Sequence, residues 1–161
     1  MRVLFSILPY QKTKKMGKLS RILYAEDNLN DIELTLNAFQ ELNLANHVDV
    51  VRDGEEVLDY LFYRNAYTER IKEIPALILL DIKMPKLDGI ETLRIIRHSR
   101  KYNNLPVVML TSSQMESDVV NSYKIGANGF VVKPIVFADF VKAIKGIGYF
   151  WAILNTSPYK I

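Results

Sequence analysis

The chain has 161 residues, a net charge of +3, 49% hydrophobic residues and no cysteine. That composition fits one domain with a sizeable core and excludes disulfides, thiolate metal sites and cysteine nucleophiles. The charge is too mild to argue for a nucleic-acid partner, and no stretch approaches the roughly 18 to 20 apolar residues of a membrane-spanning helix.

Residues 1–18 begin with an apolar run that stops at Pro9, and no small-residue cleavage site precedes Lys12, Lys14, Lys15 and Lys18. A secretion signal is therefore not expected; 1–18 is read as a flexible basic leader, 19–155 as the folded domain and 156–161 as a tail. Ile22 to Ala25 is a short apolar strand ending on Glu26-Asp27. Asn30 with Glu33 predicts a capping box for a helix carrying Ile32, Leu36 and Phe39 at helical spacing. Val48 to Val51 predicts a second strand, and Gly54 precedes a helix with Val57, Leu58 and Leu61. The charged stretch 63–75 is expected to extend that helix and then form a long loop.

Leu77-Ile78-Leu79-Leu80 predicts a strand buried on both faces, which delivers Asp81 to the point where the chain leaves the sheet. Met84-Pro85 prevents continuation, and Asp88, Gly89 and Glu91 predict a capped helix start. A fourth strand, Pro106 to Leu110, ends on Thr111, and a helix marked by Val119, Tyr123 and Ile125 closes at Gly126. The fifth strand, Phe130 to Val132, ends on Lys133-Pro134, and the last helix carries Phe140, Val141, Ile144 and Ile147 toward Trp151 and Leu154. Strands alternating with helices predict an α/β domain: a five-stranded parallel sheet, doubly wound, with helices on both faces.

The ends of these strands carry the chemistry. Glu26-Asp27, Asp81, Thr111 and Lys133 terminate four different strands, and in a parallel sheet such ends lie on one edge. Three carboxylates brought close raise one another's pKa unless a cation sits among them. A hard divalent ion with oxygen ligands, Mg²⁺ above all, answers that need. Lys133 and Thr111 offer a positive charge and a hydroxyl to an anion opposite the ion, and a phosphoryl group suits all three. An aspartate beside it can be the nucleophile that accepts it.

Taken together, Asp81 followed by Met-Pro-x-x-Asp-Gly, the Glu26-Asp27 pair, Thr111 and Lys133-Pro134 resemble a response regulator receiver domain of two-component signalling. The resemblance covers roughly Leu19 to Leu154. It implies a flavodoxin-like strand order 2-1-3-4-5 and a phosphoacceptor, Asp81, that catalyses its own phosphoryl transfer and slow dephosphorylation. It implies Mg²⁺ held by Asp27, Asp81 and the backbone carbonyl of Lys83, with Glu26 acting through water. Lys133 would bind the phosphoryl group, the peptide before Pro134 would be cis, and Thr111 with Phe130 would form the switch. Phenylalanine at position 130 keeps the packing element of that switch but offers no hydroxyl.

The long 63–75 connection and the aromatic end Tyr149-Phe150-Trp151 are similar to small receivers that pair with bacterial phytochromes. The same aromatic end is either ordinary packing or a homodimer surface on the last helix. The resemblance thus implies a cytoplasmic, bacterial response regulator, with a sensor histidine kinase as phosphoryl donor and a downstream target or phosphotransfer protein as reader. No helix-turn-helix output domain fits after Pro134, so the expected mode is a stand-alone regulator acting by docking or phosphorelay. Two other classes are weighed against it. A haloacid-dehalogenase-like phosphatase needs Asp-x-Asp, whereas Lys83 stands at the second position, and no phosphate-binding G-x-x-x-x-G-K-[ST] loop supports a nucleotide hydrolase. A receiver-like binding module working without phosphorylation is disfavoured by the complete set Asp27, Asp81, Thr111 and Lys133. Neither His47 nor His98 has a partner at metal-ligand spacing.

Overall fold

The apolar runs become the strands Ile22–Ala25 (β1), Val48–Val51 (β2), Leu77–Leu80 (β3), Val107–Thr111 (β4) and Gly129–Val132 (β5). They pair in parallel in the order β2-β1-β3-β4-β5, as expected. A computed structural model supplies these coordinates and describes residues 20–112, 115–133, 136–156 and 159. The expected leader 1–18 and the expected cis peptide at Pro134 lie outside the described residues. The helices are Leu29–Gln40 (α1), Gly54–Phe62 (α2), Gly89–His98 (α3), Glu116–Ile125 (α4) and Phe137–Gly148 (α5), the last continued by a wider, π-helical turn over Tyr149–Leu154.

Alternation along the strands sorts the core into two halves. Leu23, Ala25, Ile78 and Leu80 face one way and pack with Val57, Leu61, Leu93 and Ile96 of α2 and α3. Ile22, Tyr24, Leu77 and Leu79 face the other way and pack with Ala38, Phe39, Phe140 and Ile144 of α1 and α5. A sheet buried on both faces needs unbroken apolar strands, which is why β1 and β3 show no polar alternation. On the α1–α5 side the helices approach closely. A Cβ on Gly148 would lie 2.4 Å from a Phe39 ring carbon, so a side chain there would force the two helices apart. Lys145 donates to Glu41 across the same seam.

Two local expectations are corrected. The cap of α1 is Asn28, not Asn30: its side chain accepts from the Asn30 and Asp31 amides. The helix therefore starts at Leu29, closer to the sheet edge than the predicted box. The stretch after α2 does not extend that helix, because Tyr63 takes a left-handed φ of 56° and ends it. Beyond it the chain is held by Arg70, whose guanidinium donates to the carbonyls of Tyr60, Ile71 and Glu73. The same guanidinium lies 3.8 Å above the Tyr60 ring and 4.4 Å above the Tyr63 ring. The long connection is thus a braced one.

At the opposite edge of the sheet from the strand ends, Arg21 pairs with Asp49 of β2, and Tyr60 donates to the same carboxylate at 2.5 Å. Burial would raise the Asp49 pKa, but the bonds from Arg21 and Tyr60 outweigh it and hold the carboxyl below its usual value. A depressed folded pKa contributes stability above the unfolded value of about 3.9, and that stability is lost as pH falls through the folded pKa. Asp49→Asn is therefore expected to lower the urea midpoint at pH 6, with the gap from wild type narrowing steadily below about pH 4. A gap independent of pH would show that Asp49 acts through packing alone.

Candidate functional site

Because β1 and β3 are neighbours with Ala25 opposite Leu80, the residues that follow, Glu26 and Asp81, emerge side by side. The Asp81 amide donates to the Ala25 carbonyl at 3.1 Å, and the Glu26 amide to Val51 at 3.0 Å. Carboxylate oxygens of Glu26, Asp27 and Asp81 all lie within 4.8 Å of one another. Glu26 and Asp81 are buried and Asp27 is exposed. Burial first, and then the charge of Glu26, push the Asp81 carboxyl up to about 7, with Lys133 pulling the other way.

The floor under Asp81 is set by the Asp88-Gly89 turn. Asp88 caps α3 by accepting from the Glu91 amide at 2.8 Å, and the Gly89 amide donates to the Ile82 carbonyl at 2.8 Å. A Cβ at position 89 would lie 2.1 Å from the Asp81 carbonyl oxygen. Only glycine allows the helix start to press this close to the strand end.

Lys133, at the end of β5, is brought across to β1. Its Nζ donates to Glu26 and, at 2.7 Å, to Asp31, and stands 3.9 Å from Asp81. Burial works against its charge, but the bonds to Asp31 and Glu26 prevail and raise its pKa. The site opens to solvent through a cavity of about 630 Å³ lined by all of these side chains together with Arg52, Lys83 and Ser112.

Of the residues singled out from the sequence, Glu26, Asp27, Asp81, Lys83 and Lys133 meet at this cavity. Thr111 does not line it: it is fully buried at the end of β4, where its carbonyl accepts the Lys133 amide at 2.7 Å. The hydroxyl-bearing neighbour that lines the cavity is Ser112. Phe130 lies beside Met109 in the ladder and packs half-buried on the α2–α3 side of the core. His98 ends α3, its Nδ1 2.7 Å from the Arg94 carbonyl, and does not line the cavity. Two participants escaped the sequence reading. Asp31 reaches the site because the α1 cap is Asn28, and its place four residues after Asp27 in the first helical turn was the available sign. Arg52 reaches it by donating to the Asp27 carbonyl at 2.5 Å, a contact with no signature in the sequence.

The geometry is that of an acid at a sheet edge, flanked by two more acids and a lysine that come from other strands. The response regulator receiver domain family matches residues 22–145. The chain belongs to that family. Response regulator Rcp1 of Synechocystis sp. (strain ATCC 27184 / PCC 6803 / Kazusa) is 33% identical over 137 residues, 85% of this chain and 92% of that protein. Among solved structures, the phosphorylated cyanobacterial phytochrome response regulator RcpA superposes with a TM-score of 0.80 at 34% identity, covering 88% of this receiver and 99% of RcpA. The bacteriophytochrome response regulator RtBRR is 51% identical with a TM-score of 0.70, covering 88% of this receiver and 85% of RtBRR.

Receivers bind divalent metal, and a structure of Rcp1 in its Mn²⁺-bound form is also similar to this receiver, with a TM-score of 0.77 at 32% identity over 86% of this chain and 99% of that one. The residues here fit such an ion: an all-oxygen donor set in which burial, and then the charge of Glu26, disfavour the ionised Asp81 even with Lys133 nearby. Among the described residues no helix is long and apolar enough to cross a membrane.

Relief of that crowding is measurable. In chelator at pH 8, Asp81→Asn should raise the thermal midpoint by about 3 to 6 °C, because one of three facing charges is removed from a buried edge. Millimolar MgCl₂ should shrink the gain by stabilising wild type selectively. A mutant no more stable than wild type in chelator would show that Lys133 already neutralises the cluster.

Proposed function

We propose that this receiver accepts a phosphoryl group on Asp81 from a sensor histidine kinase in a Mg²⁺-dependent reaction and signals by phosphorylation-controlled docking or phosphorelay. The observation that carries the proposal is the convergence of Asp81, Asp27, Glu26 and Lys133 from three strand ends. One Asp81 carboxylate oxygen attacks phosphorus, the P–N bond to the donor histidine breaks, and the imidazole leaves with the electron pair. Lys133 stands 3.9 Å from Asp81 and is placed to pair with a phosphoryl oxygen as that charge arrives. Mg²⁺, held by Asp27, Asp81 and the Lys83 carbonyl, with Glu26 acting through water, would supply further neutralisation of the phosphoryl oxygens.

Thr111 and Phe130 are assigned the switch in this reading. Thr111 lies buried at the end of β4 and Phe130 half-buried on β5, so a turn of the hydroxyl toward the site would leave space that the ring can fill. The donor proposed is a kinase of the bacterial phytochrome class. The support is that solved structures similar to this chain are named as phytochrome response regulators. A cytoplasmic location accords with that partner. The same reading includes a homodimer through the last helix. Tyr149 and Phe150 are 47% and 48% exposed, whereas Trp151 packs half-buried on the α1–α5 side of the core.

The reaction is tested by intact mass after incubation with acetyl phosphate, with Mg²⁺ or with chelator, on wild type and Asp81→Asn. One phosphoryl adduct that requires both Mg²⁺ and Asp81 is expected. No adduct under any condition would favour a binding module that works without phosphorylation. For the dimer, Phe150→Ala should move the sedimentation-equilibrium mass toward the monomer, and an unchanged distribution rejects that surface.

A further inference from the structure

Lys133 is the cation paired with the acids of the site, and its partners are unequally shared. Its side chain is only 12% exposed, so it cannot relax into water. Glu26 and Asp31 take its hydrogen bonds, while Asp81 is left at 3.9 Å. Asp31 is itself fixed from below: its backbone carbonyl accepts from the Tyr24 hydroxyl at 3.4 Å, and Tyr24 in turn accepts from Thr35 at 3.1 Å. The Asn28 cap holds the Asp31 amide from the other side at 3.2 Å. The Asp31 backbone is therefore held at both its amide and its carbonyl, and its carboxylate meets Lys133 Nζ at 2.7 Å.

We propose that Asp31 is a positioning residue that keeps the Lys133 ammonium off the Asp81 carboxylate, leaving the nucleophile open to a divalent cation and to the phosphoryl donor. Without Asp31, the acids in reach of the buried ammonium are Glu26 and Asp81, and an ion pair with Asp81 would cover the oxygens a cation needs. Lysine and divalent cation compete for one carboxylate, and Asp31 decides that competition by offering the lysine another place. This inference rests on the reading of Asp81 as ligand and acceptor.

The test is a double-mutant cycle on Mg²⁺ affinity, read by titration calorimetry on the full chain. Asp31→Asn should weaken Mg²⁺ binding about tenfold, the scale on which outer partners of metal ligands act. Asp31→Glu, which restores the carboxylate, should recover wild-type affinity to within about twofold, and in a Lys133→Ala background Asp31→Asn should change affinity by less than about twofold. An equal loss with and without Lys133 would overturn the inference, because Asp31 would then act through its own charge on the cation. Unchanged affinity in Asp31→Asn, or wild type that binds no Mg²⁺, would overturn it as well. Acetyl phosphate labelling of the same proteins is scored separately. A chain that shows the Lys133-dependent effect yet takes no phosphoryl group refutes the proposed acceptor role and leaves the positioning role standing.

Discussion

The parallel ladder that sets Ala25 beside Leu80 leaves Glu26 and Asp81 as the next residues on adjacent strands, each still tied to a neighbouring strand through its amide. Two carboxylates placed in that way repel, and the fold keeps them there because both strands are buried on both faces and cannot shift by one residue. A slip of one would turn every core side chain of β1 to the opposite half of the core. The electrostatic cost at the edge is thus underwritten by the hydrophobic register beneath it.

That constraint explains why the remaining groups come from elsewhere in the chain. The lysine paired with these acids comes from β5, two strands beyond β3, through the reach of its side chain. The amide of Lys133 is held by the Thr111 carbonyl, so the backbone of β4 aims the side chain that β1 and α1 then receive. Thr111 itself is buried one residue behind the cavity that Ser112 lines. On the other flank, Arg52 joins the loops that follow β1 and β2 by a bond to the Asp27 carbonyl, which steadies the exposed member of the acidic group.

The fold was legible because its signals are strong and local. Leu77 to Leu80 reads as a strand buried on both faces and is one, and Asp88-Gly89 gave the start of α3 to the residue. The site was legible as a list of strand ends, since a parallel sheet converts that list into one edge. What was not legible depended on small choices of backbone. Asn28 and Asn30 are equally good caps by composition, and the choice between them turned on which asparagine could reach two amides at once. Tyr63 carries nothing in its side chain to announce a left-handed conformation, so the helix end there was missed. Asp31 follows from the first of these: with the cap moved back to Asn28, its carboxylate comes within reach of Lys133.

The contact of Gly89 with the Asp81 carbonyl has a mechanical meaning. The helix start stands against the backbone of Asp81 with no side chain between them, and the Ile82 carbonyl is bonded to the same turn. The strand end therefore has no room to recoil. Ahead of it the cavity is open and bounded by side chains of Ser112 and Lys133, which belong to the ends of β4 and β5. Under the proposed reading, a group added to Asp81 would meet backbone behind it and the side chains of an open cavity ahead of it, so the space it takes would lie on the side of β4 and β5.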